Sequence, residues 1–192
     1  SRVRGFIPVS TISGSPWAGH VRLYSVSASN PTAIFRGDAI KLYPADTAGT
    51  FGGELLVPVR AAAAGDAVVG VCVGPLVDRS ILATETPGYL PASTAGFVLV
   101  AVGQDVIYEV QEDNIGNDLA STDVLHVGNL VAGAGSTTTG MSGHVLDSSD
   151  VRANTTGHQF LLWSLSARVD NAIGTNGKWL VRINNSQIKL GQ

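Results

Sequence analysis

Gly and Pro interrupt this chain so often that few segments are long enough to form a helix. There are 23 Gly and 8 Pro in 192 residues, and the longest stretch free of both is 158–173. A helix of ordinary length runs about 11–12 residues and is weakened by interior Gly and broken by Pro. Strands fit the spacing better, because a run of roughly 4–8 residues between turn signals is enough for one.

The runs between the breaks carry the period of a pleated strand, in which successive side chains point to opposite faces. Val21, Leu23 and Ser25 alternate with Arg22, Tyr24 and Val26. Residues 39–43 alternate after the Gly37-Asp38 turn, while 68–73 and 97–102 are continuous apolar runs bounded by Gly. Val106, Tyr108 and Val110 share a face opposite Ile107, Glu109 and Gln111, and Trp179, Val181 and Ile183 repeat the pattern near the C-terminus. Many short segments at near-regular spacing predict an all-β fold, a single-domain antiparallel β-barrel or sandwich. Its expected core holds Val68, Val71, Val73, Val98, Val100, Val106, Tyr108, Val110, Val181 and Ile183.

Three stretches depart from this pattern. Residues 117–127 fit a short helix capped by Asn117 or Asp118. Residues 158–169 are ambiguous by periodicity, and their aromatic content after a polar loop favours a buried strand. Residues 1–35 scatter Phe6, Ile7, Ile12 and Trp17 among Ser, Gly and Arg. They read as an extended N-terminal arm with the first strands, ahead of a β domain over 36–192, all within one structural domain.

Charged residues make up 14% of the chain, against ~25% in an average soluble domain. A charge-poor surface suits a protein covered by partners, since interface centres are depleted of Lys, Glu and Asp. A GC-rich genome is the other explanation, and it also favours the nine Arg over the three Lys. The net charge of −3 comes with no basic stripe, which argues against a nucleic-acid groove binder. No apolar stretch is long enough for a membrane-spanning helix. Cys72 is the lone cysteine, so a disulfide framework within the chain is excluded. The chain starts at Ser1, as after removal of an initiator Met, and residues 1–20 lack the apolar centre of a signal peptide.

No catalytic, cofactor-binding or metal-binding set emerges. The run 133–140 is rich in Gly, but Met141-Ser142-Gly143 follows it where a phosphate loop needs Lys and Ser or Thr, so it reads as a surface turn. Around Gly140 to His144 the spacing differs from a nucleophile elbow. His20, His126, His144 and His158 lie far apart and lack ligand spacing. Cys72 sits in an apolar run and reads as a buried small hydrophobe. The acidic run 112–118 lacks the spacing of a calcium loop and reads as a solvated turn. The four Glu and eleven Asp lie mostly in turn contexts, where Asp bonds its own backbone.

Several motifs taken in order resemble the decoration, or cement, proteins of tailed-bacteriophage capsids. They are Phe35-Arg36-Gly37-Asp38 running into 39–42, then 69–74, and 97–100 leading to 106–113. The segments 131–140 with 144–147, 170–174 and 179–185 complete the series, which spans about residues 5–185. The resemblance implies a structural virion protein, made in the host cytoplasm, that binds the capsid exterior and cements neighbouring major capsid subunits. It brings no catalytic residues; self-association is expected from the charge-poor surface, and the three-fold positions that decoration proteins often occupy favour a trimer over a dimer by analogy. The alternative class is a β-sandwich carbohydrate-binding or tail-associated module, which would need aromatic platforms or paired carboxylates. The candidate interface residues are Arg2, Arg4, Phe6 and Trp17, because Arg and aromatic side chains anchor interfaces and residues 1–20 lack strand periodicity.

Overall fold

Short apolar runs set between tight turns can bury their side chains only by pairing edge to edge and stacking the resulting sheets. The computed structural model of the chain describes residues 3–76, 88–113, 115, 118–153 and 156–188, and nearly all its regular structure is strand. The strands β1 (Ile7–Thr11), β2 (Arg22–Val26), β3 (Ile34–Phe35), β4 (Ala39–Leu42), β5 (Gly49–Phe51) and β6 (Glu54–Leu56) come first. Next come β7 (Val59–Ala61), β8 (Gly70–Pro75), β9 (Tyr89–Leu90), β10 (Gly96–Val102) and β11 (Val106–Gln111). The last are β12 (Val127–Gly128), β13 (Leu130–Val131), β14 (Val145–Leu146), β15 (Phe160–Leu165) and β16 (Lys178–Ile183).

Ten of these strands form two five-stranded antiparallel sheets, ordered β1-β11-β16-β15-β12 and β2-β10-β8-β4-β7. Neither sheet closes on itself, so the fold is a sandwich rather than a barrel. The main core lies between the two sheets. Val106, Tyr108, Val110, Phe160, Leu162, Trp179 and Val181 of the first sheet meet Ala39, Val71 and Ala101 of the second. Burying a large apolar side chain contributes about 1.5–3 kcal/mol, so the fully enclosed Trp179, Tyr108 and Phe160 anchor this layer. Tyr108 also donates its hydroxyl to the Ala101 carbonyl at 3.0 Å, which ties the two sheets by a polar contact inside an apolar layer.

The second sheet is covered on its other face as well. Alternate residues of its strands, among them Tyr24, Ile40, Cys72, Val98 and Val100, pack there with Ile34 and Leu90 of the short β3–β9 ribbon. This explains the solidly apolar sequence of 68–73 and 97–102, since a strand buried on both faces has no polar side to show. Nine of the ten expected core residues are buried. Val73 is the exception, packed only partly against the core near the end of β8, where the groove described below begins.

Residues 158–169 contain β15, as their aromatic content predicts. The expected helix over 117–127 is absent; Asn117 lies outside the described residues, and from 118 onward a single 3-10 turn forms at Ser121–Asp123. The Asp123 carboxylate accepts the Ala120 N–H at 2.8 Å, which satisfies the turn without a longer helix. Leu119 instead drops its side chain into the core. The N-terminal segment also departs from expectation, because it is integrated in the fold rather than reaching away from it. β1 is the edge strand of the first sheet, paired with β11, whereas β2, expected from the alternation over 21–26, is an edge strand of the second. Pro8 and a bulge between Pro8 and Ser10 break the alternation that would have marked β1, and Pro is tolerated at a sheet edge.

Candidate functional site

Three polar features stand out against this apolar frame. The first is a buried pair, Asp38 and His144, at one side of a cavity of about 440 Å³ walled by Phe35, Ala61–Ala63 and Ala132–Gly135. Asp38 follows the Gly37 turn, and its Oδ2 accepts the Phe35 N–H at 2.8 Å. His144 reaches it from the loop before β14, with Nε2 3.5 Å from Asp38 Oδ1. The backbone N–H of Ala39 donates to His144 Nδ1 at 3.3 Å. A backbone amide can only donate, so Nδ1 carries no proton and the neutral ring keeps its proton on Nε2, facing the carboxylate. Burial pushes the Asp38 carboxyl up and the His144 imidazole down from their ordinary values, with each partner's charge opposing the other's shift.

Ser142 completes the cluster but does not make a catalytic triad of it. Its hydroxyl bonds Asp38 and accepts the His144 backbone N–H, the latter at 2.9 Å. Nucleophilic catalysis needs the hydroxyl against an imidazole nitrogen free to take its proton. Both ring nitrogens are already engaged, one by a backbone amide and one by Asp38. The arrangement is a lock that fixes the Phe35–Ala39 turn to the loop at 142–144. Cys72 lies close by, buried, and burial raises its thiol pKa far above the range in which a thiolate forms.

The second feature is the acidic run after β11. Glu112 is fully buried, and its two carboxylate oxygens accept the N–H groups of Leu119 at 2.9 Å and Gly177 at 3.0 Å. Asp113 is also buried and accepts from both the backbone N–H and the hydroxyl of Ser148, at 3.0 and 2.7 Å. The solvated-turn expectation therefore fails for these two carboxylates, which hold three loops together. Burial pushes the Glu112 carboxyl above its ordinary value, against the pull of its two backbone donors. Among the described residues no group of three or more His, Cys, Asp or Glu converges as metal ligands.

The third feature is a groove of about 340 Å³ at the N-terminal side of the sandwich, with Arg4, Arg36 and Trp17 around it and Phe6, Val73 and Met141 among its apolar lining. Backbone hydrogen bonds fix its frame. Phe6 N–H donates to the Gly37 carbonyl at 2.9 Å, Gly37 N–H to Cys72 at 2.8 Å, and Ser142 N–H to Arg36 at 2.8 Å. Gly5, at φ +70°, has Gly37 and Ser142 where a Cβ would stand, so glycine is needed for the two loops to cross.

This geometry sorts the four candidate interface residues. Arg2 lies outside the described residues. Arg4 is exposed and Trp17 half-buried, and the groove brings the two together. Phe6 is not a surface anchor: it is 1% exposed and stacks on Phe160 with ring centroids 4.3 Å apart, as part of the core. Arg36 completes the groove and was missed as a site residue, although it stands in the Phe35–Asp38 motif. An Arg placed between a buried Phe and a turn Gly was the available signal. Comparison with known proteins found no matching family model, no matching curated protein and no matching solved structure. The resemblance to capsid decoration proteins thus rests on the motifs and their order.

Proposed function

We propose that this chain is a non-enzymatic structural protein that binds the outer surface of a bacteriophage capsid and cements neighbouring major capsid subunits. The observation that supports it most is a contrast between interior and surface. The buried acidic and imidazole side chains of the two clusters above are engaged by backbone amides or by one another. Large apolar side chains, meanwhile, stand in solvent: Leu55 is 70% exposed, Ile115 69% and Phe51 47%. Phe51 and Leu55 stand on the same β5–β6 hairpin, and an apolar pair displayed together supports packing against a partner. The motif order supplies the capsid assignment; the charge-poor surface supports self-association, and analogy with decoration proteins favours a trimer.

The aromatic-platform alternative has less support: Trp179 is wholly buried and Trp17 half-buried, which leaves Trp163, 37% exposed, as a single surface indole. Co-sedimentation of the purified protein with phage heads that lack it tests the proposal. Heads should bind the protein to saturation and resist heat or osmotic shock better with it than without it, since a ligand of the assembled state stabilises that state by mass action. Heads that neither bind the protein nor gain stability from it would overturn the reading.

A further inference from the structure

From the groove between Arg4 and Arg36 we infer an anionic-peptide site: it receives an extended segment of a partner protein in which an Asp or Glu is followed, two residues on, by an aliphatic side chain. The inference rests on the surface-binding role proposed above and names the contact chemistry for it. Charge is the first argument. The chain is acidic overall, yet the residues lining this groove include two arginines and no carboxylate. Arg60, Arg152 and Arg168 each pair with a carboxylate of the chain itself. Arg4 and Arg36 pair with none among the described residues and are exposed. Two guanidiniums lining one groove add positive charge to it, and a carboxylate bound there accepts charge-assisted hydrogen bonds from either.

Shape is the second argument. The same groove is lined by Val73 and Met141 as well as by the two arginines, so a ligand that fills it must offer apolar and charged character together. Residues i and i+2 of an extended strand point the same way about 7 Å apart, which meets that need with one short segment. The indole Nε1 of Trp17, in the same lining, is shielded from solvent and has no hydrogen-bond partner. Its fluorescence reports on occupancy of the groove.

The test uses the full chain and two capped heptapeptides of serine and threonine, one with glutamate at its third position and leucine at its fifth, the other with glutamine in place of that glutamate. Binding is followed by fluorescence anisotropy and by tryptophan emission. The glutamate peptide should bind at least about tenfold more tightly than its glutamine counterpart, with the preference shrinking as salt rises. The Arg4→Gln, Arg36→Gln double variant should bind both peptides alike. Arg152→Gln, which removes an exposed guanidinium elsewhere, should behave as the unaltered chain. Both guanidiniums that the double variant removes are exposed, so an unchanged melting temperature is expected and excludes misfolding as the cause.

Equal affinity for the two peptides, or undiminished preference in the double variant, would overturn the inference. So would displacement of the peptide by an equal concentration of inorganic phosphate, which would mark a general anion site. Self-association abolished by the double substitution would overturn it too, since the occupant would then be a second copy of the chain. If heads bind the double variant as well as the unaltered protein, the groove is not the capsid contact and the inference fails while the capsid role stands. If the peptide preference holds but heads bind neither protein, the capsid role fails and the groove remains.

Discussion

His144 and Asp38 show how a few buried atoms set the pH response. Burial lowers the imidazole from its ordinary 6.5, so the unfolded chain takes up a proton that the folded chain refuses. The stability tied to this group is complete above about pH 6.5 and is lost as pH falls from there toward the folded value. Asp38 acts with the opposite sign. Its carboxyl is raised from 3.8, so the folded chain holds the proton more tightly, and stability is lost as pH rises from 3.8 through the folded value. His144→Gln removes the first window. Between about pH 7 and about pH 5 the melting temperature of the unaltered protein should fall relative to that of the variant, and parallel curves would contradict the account. None of this pairing was legible in the sequence, where Asp38 reads as a turn residue and His144 as one of four scattered histidines. The contact joins positions 106 apart along the chain, and nothing in either neighbourhood announces the other. Glu112 misleads for the same reason: one of its two donors, the Gly177 amide, is 65 positions away.

At the scale of elements, the N-terminal segment carries the clearest lesson. Its lack of alternation suggested an arm, yet β1 closes one edge of a sheet and Phe6 stacks inside the core. Edge strands are the ones that accept Pro and bulges, so the features that hid β1 are those its position permits. Phe6→Ala should destabilise the protein by about 3–5 kcal/mol. A drop in melting temperature of roughly 10 °C would accompany it, whereas an interface residue would leave thermal stability unchanged. By contrast, β11 and β16 were legible at once: β16 buries every second residue, and β11 sets Val106, Tyr108 and Val110 into the core although its other face is buried too. Runs such as 68–73 were legible as strands, but the sequence did not disclose that two separate layers cover their faces. Residues 117–127 offered a helix because capping residues were present, and lost it because Leu119 was drawn into the core.

For the whole molecule, the fold stands on apolar layers and carboxylate-to-amide bonds, with no converging metal ligands among the described residues. Treatment with a chelator should leave the melting temperature unchanged, and a fall of several degrees would reveal a structural ion. The all-β class was readable from Gly and Pro spacing; the choice of sandwich over barrel was not, because closure depends on which edges meet. Among the described residues no helix is long and apolar enough to cross a membrane. The strand order also governs when the fold can exist. β16, the last strand among the described residues, lies in the middle of the first sheet, between β11 and β15. During synthesis, β1 and β11 must wait beside an empty lane until residue 183 has left the ribosome. Pairings between such distant segments close slowly, on the order of milliseconds to seconds. The nascent chain therefore exposes the strands of its unfinished sheet for longer than a protein built from neighbouring hairpins.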